Sequence, residues 1–132
     1  MSIMSPDEGL EIIRAEILAQ DWRLSPASRQ RLGRALDLFA GRVQGRRGFY
    51  YIHSMCGGIL AYLEKHGDGA RPAAIDLLKE CLAHLLPFFD GRESSSAREA
   101  EIFHAAFGRF QKLKKEIRQD TDRTCGIKGN EQ

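Results

Sequence analysis

A chain of 132 residues with 42% hydrophobic and 29% charged residues is long enough to bury one core without staples and too apolar to stay unfolded. Its net charge of +2 argues for no class of partner by itself, although seven arginines fall between positions 23 and 47 against the single Asp37. Three cysteines, Cys56, Cys81 and Cys125, form no spaced framework, and no apolar run reaches the roughly eighteen residues of a membrane span, so the expectation is a cytoplasmic domain with reduced thiols and no membrane partner. Residues 1–8 also lack the basic, then apolar, then small-residue pattern of a signal peptide.

Ser5-Pro6-Asp7-Glu8 combines a hydroxyl cap, a first-turn proline and acids at the positive end of the dipole, which predicts a helix over 5–20. Leu10, Ile13 and Ile17 mark its inner face, with Ile12 and Leu18 beside it. Asp21 and Trp22 open a short connection. Ser25-Pro26 repeats the start signal for a helix over 26–44 that turns Leu32, Leu36, Phe39 and Val43 inward and its arginines outward. Gly41, Gly45 and Gly48 each weaken that helix by up to about 1 kcal/mol relative to alanine, which places the next joint between Gly45 and Gly48.

The chain is organised around residues 49–89, two helices (49–66 and 72–89) folded back on Gly67-Asp68-Gly69. Ile52, Met55, Ile59, Tyr62 and His66 step by three and four along the first arm, and Ile75, Leu78, Leu82, Leu85 and Phe89 do so along the second. Pro72 suits a first turn. In such an antiparallel hairpin, residues whose numbers sum to about 137 face each other. Pro87 and Asp90-Gly91 close the second arm. Ser96 with Glu99 reads as a capping box for a last helix over 97–119, carrying Phe103, Ala106, Phe110, Leu113 and Ile117 with Phe107 flanking. Lys112, Lys114, Lys115 and Arg118 suit its C-terminal dipole end. Polar residues from Asp120 onward read as a disordered tail over 120–132. The fold class expected is all-α, a single antiparallel bundle of about five helices over residues 1–119.

Asp21-Trp22-x-x-Ser25, Gly58-Ile59-Leu60-Ala61-Tyr62-Leu63-Glu64-Lys65, Pro72-Ala73-Ala74-Ile75-x-Leu77-Leu78 and Phe110-x-x-Leu113-Lys114 together resemble a group of small all-helical bacterial proteins, over roughly residues 11–117. The resemblance implies a helical fold and carries over no catalytic residue, because its motifs are helix-packing residues. His53, Cys56 and Pro87 depart from that pattern.

Ile52-His53-Ser54-Met55-Cys56-Gly57-Gly58 is similar to the phosphoacceptor helix of histidine phosphotransfer domains, where an exposed histidine is followed at three and four positions by lysine and glycine. That resemblance implies His53 as phosphoacceptor. Cys56 stands where the charge-balancing lysine belongs. The plainer reading is a surface histidine beside glycines that admit a close helix crossing. His53 with Cys56 and Cys81 with His84 are pairs at three-residue spacing, and the hairpin rule sets them opposite each other, as a zinc site or a redox thiol pair would require. His84 falls on the far side of its helix from the leucine stripe, which argues for packed thiols and surface histidines instead. His66 and His104 read as capping or core-edge residues.

The arginine-rich second helix reads as a solvated face, with nucleic-acid binding disfavoured because no recognition-helix pattern follows it. Phosphate loops, zinc-protease motifs and nucleophile elbows are missing, and no cofactor is implied. Phe49, Tyr50 and Tyr51 beside Arg46 and Arg47 have the composition of a protein-binding surface. The sequence therefore predicts a non-catalytic interaction or regulatory module, signalling-associated and self-associating, with His53 phosphotransfer and a Cys56–Cys81 metal or redox site as alternatives.

Overall fold

The computed structural model describes residues 4–18 and 25–129, with the side chains of residues 68 and 121–129 outside the description. Five α-helices account for them: α1 (Pro6–Leu18), α2 (Pro26–Leu38), α3 (Arg47–His66), α4 (Pro72–Phe89) and α5 (Ser96–Gly129). Short 3-10 turns at Ala40–Val43 and Gly67–Gly69 flank α3, and no strand is present among the described residues. The helix end near Gln20 and the connection at Asp21 and Trp22 lie outside the described residues.

Local chemistry sets the helix starts. The Ser5 hydroxyl accepts the N–H of Glu8 at 3.2 Å, and the Ser25 hydroxyl accepts that of Ser28 at 3.1 Å, so both serines cap the helices they precede. The second helix ends at Leu38 rather than near Gln44, because the chain tightens into the 3-10 turn and then bends at Gly45, whose φ of 84° a side-chain-bearing residue rarely adopts. The third helix starts at Arg47, two residues ahead of the expected Phe49.

Closure of α4 follows from Asp90-Gly91 as expected. Gly91 has φ 88°, its N–H donates to Phe88 O at 3.1 Å, and the N–H of Arg92 donates to Pro87 O at 2.9 Å. This pair of bonds is a Schellman motif, and Pro87, inside the last turn, supplies one of its two acceptors. The last helix runs to Gly129, past the expected end at Gln119, since no proline interrupts it. Its cap is Ser95, whose hydroxyl accepts the Arg98 N–H at 3.1 Å, and not Ser96.

The hairpin of α3 and α4 forms the central layer. On one side α1 and α2 complete a four-helix ring, with α1 against α2 and α4, and α2 against α1 and α3; on the other side α5 lies along the α3/α4 pair. Contacts of Glu99 with Gly48 and of Phe110 with Gly58 advance together, so α5 runs parallel to α3. Arg71 with Asp120 and Glu80 with Arg109 pair in opposite order, so α5 is antiparallel to α4.

Every residue of the expected α4 stripe is buried, as are Leu32, Leu36, Phe39 and Val43. Two ring stacks lock the end of α4 into the core: Phe89 on Phe39 with centroids 4.5 Å apart, and Phe88 on Phe49 at 4.4 Å. Stacked pairs of this kind add about 0.5–1.5 kcal/mol each beyond area burial. In α1 only Ile13 of the expected face is fully buried, and Leu18 is 73% exposed. The inner face of α5 is Ile102, Ala106 and Leu113, which leaves Phe103, Phe107 and Phe110 half-buried at its edge.

Candidate interaction surface

The first turn of α3 has orphan N–H groups, and its N-cap residue Arg46 supplies no side-chain cap. Glu99, 7% exposed, reaches across from α5 instead. Its Oε2 accepts the Gly48 N–H at 2.7 Å and the Phe49 N–H at 3.4 Å, while its Oε1 accepts Arg46 Nε at 2.8 Å. The Arg46 guanidinium also donates to Ser94 O at 2.8 Å and lies 5.3 Å from the Phe88 ring centre. Buried carboxylates need such company, and here the α3 dipole and Arg46 both provide it. The expected capping box is thereby corrected: Glu99 caps α3 across the fold rather than its own helix.

Two of the five residues expected at a binding surface are therefore structural. Phe49 is 1% exposed, because it shares the inner face of α3 with Ile52 and Cys56 and stacks on Phe88. Half-buried Arg46 is tied down as described. Tyr50 and Tyr51 remain at 49% and 42% exposure, with rings 5.7 Å apart edge to face, and Arg47 is exposed beside them. The row continues onto α5, where Phe103 lies 5.5 Å from Tyr51 and 5.3 Å from Phe107, with His104 next to Phe103.

Two recesses lie along this α3/α5 seam. One, of about 470 Å³, is lined by Arg47, Tyr51, Ala100, Phe103 and His104 among others; the second, of about 370 Å³, lies over Gly58 between Tyr62 and Phe110. A Cβ on Gly58 would meet only Phe110, at 3.8 Å, and one on Gly57 would meet nothing within 4 Å. The glycines thus admit no close helix crossing. Each opens a groove, Gly58 toward α5 and Gly57 toward α2.

The Gly57 groove, about 640 Å³, includes His53, Arg29, Arg34, Asp37 and Glu64. Its histidine is half-buried, with Nε2 donating to Leu36 O at 2.8 Å and the ring edge-on to Phe89 at 6.4 Å. The same carbonyl, at the C-terminal end of α2, also accepts the Phe39 N–H at 3.1 Å, so the imidazole adds a second bond where the chain leaves the helix. The imidazole does not stand free in solvent as a phosphoacceptor would, and the nitrogen facing Leu36 carries its hydrogen.

Cys56 and Cys81 are free, buried and adjacent, as the hairpin rule requires. The Cys81 hydrogen bond and then burial raise the Cys56 pKa well above the usual thiol range, so this thiol stays protonated at neutral pH. Neither histidine joins them. His84 sits 3.9 Å from Glu80, which in turn accepts Arg109 Nη1 at 2.6 Å, and burial lowers the His84 pKa. Among the described residues no three His, Cys, Asp or Glu side chains converge as metal ligands, so the four-ligand arrangement does not form there. His66 lies exposed against the Tyr62 ring at 4.6 Å.

Phe103, Phe107, Gly58, Lys114 and Arg118 are the seam residues that sequence reasoning missed as a group. No local signal joins them, since α4 separates the two helices in sequence. No described helix is long and apolar enough to cross a membrane. In comparisons with protein-family models, with curated proteins and with solved structures, no match to this chain was found.

Proposed function

We propose that the protein is a non-catalytic interaction module of the cytoplasm, self-associating through the Arg47, Tyr50, Tyr51 and Phe103 face. The observation that carries this reading is the pair of tyrosines, each more than two-fifths exposed, continuous with half-buried Phe103. Aromatic and arginine side chains contribute most of the energy of protein interfaces. The face is also pre-organised: Glu99 and Arg46 pin the first turn of α3 directly beneath it, which reduces the ordering cost on association.

Sedimentation velocity across a concentration series tests it, comparing the wild type with Tyr51→Asp. Tyr51 is exposed enough for the substitution to leave the fold intact, which circular dichroism checks. The wild type should gain mass with concentration and the variant should not. A wild type that stays monomeric throughout, or a variant that associates equally well, overturns the proposal.

A further inference from the structure

The farther half of the α3/α5 seam differs from the tyrosine end in its chemistry. The recess over Gly58 is walled by Ile59, Tyr62, Phe110, Leu113 and Ile117, with exposed Lys114 and Arg118 at its edge. Gly58 lines it without a side chain to fill it, and its walls offer a trough for large apolar groups.

The seam is also one-sided in charge. The only acid of α3, Glu64, lines the groove on the opposite, α2 side. On α5, Glu99 is held at the start of α3, Glu101 pairs with Arg98 at 3.3 Å, and Glu116 and Asp120 pair with Arg71 on the α4 side. Among the described residues no carboxylate pairs with Arg47, Lys114 or Arg118. Cations therefore line a trough from which every described acid of both walls is turned away.

The shape selects the form of a partner. Both walls are helices whose backbone groups are already bonded, so an extended peptide would find no ladder to join and would leave its own N–H and C=O groups over carbon. A helix satisfies its own backbone and packs its side-chain ridges into the groove between two others. Tyr51 to Tyr62 spans about 17 Å at 1.5 Å per residue, or about three turns. Single-stranded nucleic acid fits less well, since Phe103 and Phe107 lean on each other, half-buried, instead of presenting free faces for bases.

We infer that this trough binds an acidic amphipathic helix of a partner protein, its large apolar residues seated over Gly58 and its carboxylates on Lys114, Arg118 and Arg47. The inference rests on the reading of the seam as a protein-docking face, and it names the partner's chemistry.

The test is selection from a displayed library of randomised helical peptides of about four turns, using the intact chain as bait, with a labelled oligouridylate as the nucleic-acid probe. The expected consensus has apolar residues at helical spacing flanked by Asp and Glu. Binding should fall on the order of tenfold in Gly58→Leu, which fills the trough, and in Lys114→Glu with Arg118→Glu, which reverses its charge, while Gly58→Ala binds nearly as well as the wild type. Peptides lost in Tyr51→Asp but indifferent to Gly58→Leu keep the docking reading and overturn this inference. Failure to enrich an acidic helix also overturns it. Oligouridylate binding that weakens on charge reversal but not on filling the trough overturns this inference, while self-association through the tyrosine face stands or falls by sedimentation.

Discussion

The Glu99 carboxylate lies 2.7 Å from the Gly48 amide and caps a helix fifty residues away in sequence. A Cβ on Gly48 would come within 2.7 Å of Glu99 Cγ and 3.1 Å of the Glu99 carbonyl, so the glycine is the condition for the cap. Glu99→Ala leaves Arg46 Nε and two amides without their acceptor and should cost about 1–3 kcal/mol, since half-buried Arg46 keeps its bond to Ser94 O. Gly48→Ala should cost about 1–3 kcal/mol despite alanine's better helix propensity, because Glu99 is displaced. Urea unfolding measures both. A Gly48→Ala protein more stable than the wild type would show that the close approach does not constrain the fold.

The two inner thiols should be nearly silent. With Cys125 replaced by serine, so that only Cys56 and Cys81 report, reaction with a disulfide reagent should be on the order of a thousandfold or more slower in the folded protein than in denaturant, since it requires opening of the α3/α4 core. Fast reaction of the native protein would restore a redox role for the pair.

The acid limb of stability should depend on His84. Burial lowers its pKa, Arg98 and Arg109 push the same way, and Glu80 opposes them. The folded state thus binds this proton less tightly than the unfolded chain does. The contribution of His84 to stability is full above the ordinary histidine value of about 6.5 and is lost as pH falls from there through the lower folded value. His84→Gln should therefore lose less stability than the wild type between about pH 7 and about pH 5. Carboxylates titrate in both proteins, so the difference between their unfolding curves isolates the histidine. Parallel curves would contradict the assignment.

His53 should behave as a packing residue of the α2 end. Its bond to Leu36 O at 2.8 Å is a single hydrogen bond in a half-buried setting, so His53→Ala should cost about 1 kcal/mol and leave self-association unchanged. Incubation with acetyl phosphate should leave no acid-labile phosphate dependent on His53, because its Nε2 is engaged with Leu36. Incorporation lost in His53→Ala would instead favour phosphotransfer.

The helices whose apolar residues step by three and four along one buried face were legible in the sequence. Ile75, Leu78, Leu82, Leu85 and Phe89 are buried as that spacing implies, and local chemistry at Pro72 and Asp90-Gly91 marks the ends of their helix. Leu32 and Leu36 are likewise buried within α2, whereas Phe39 and Val43 reach the core from beyond its end at Leu38. Relations between elements were harder to read. The hairpin rule itself pairs Phe49 with Phe88, yet composition alone set Phe49 on the surface beside its two tyrosines. The local pattern of Ser96 and Glu99 favoured a box that the structure does not use, since an orphan first turn elsewhere binds the carboxylate more fully. For α3 and α5, which are parallel and not consecutive, sequence offers no register rule, so the aromatic and cationic residues of the seam could not be assembled in advance.

Arg71 holds α5 to the start of α4. Its Nε and one terminal nitrogen bind the two Asp120 oxygens at 2.6 and 2.7 Å, the other terminal nitrogen reaches Glu116 at 3.3 Å, and its backbone N–H donates to Tyr62 Oη at 2.9 Å. The side chains of Arg71 and Asp120 are 35% and 45% exposed, so water and salt screen the pair. Arg71→Ala should therefore cost only about 0.5–1 kcal/mol in global unfolding. The local effect should be larger: amide exchange around Glu116 and Asp120 should quicken, while the centre of α3 stays protected. Lysine at position 71 should restore part of the protection, since it keeps the charge but loses the paired geometry. High salt should bring wild type and variant together. Exchange that quickened equally along α3 would mean that Arg71 supports the core and not the seating of α5, and unchanged exchange would mean that the apolar face of α5 suffices to hold it.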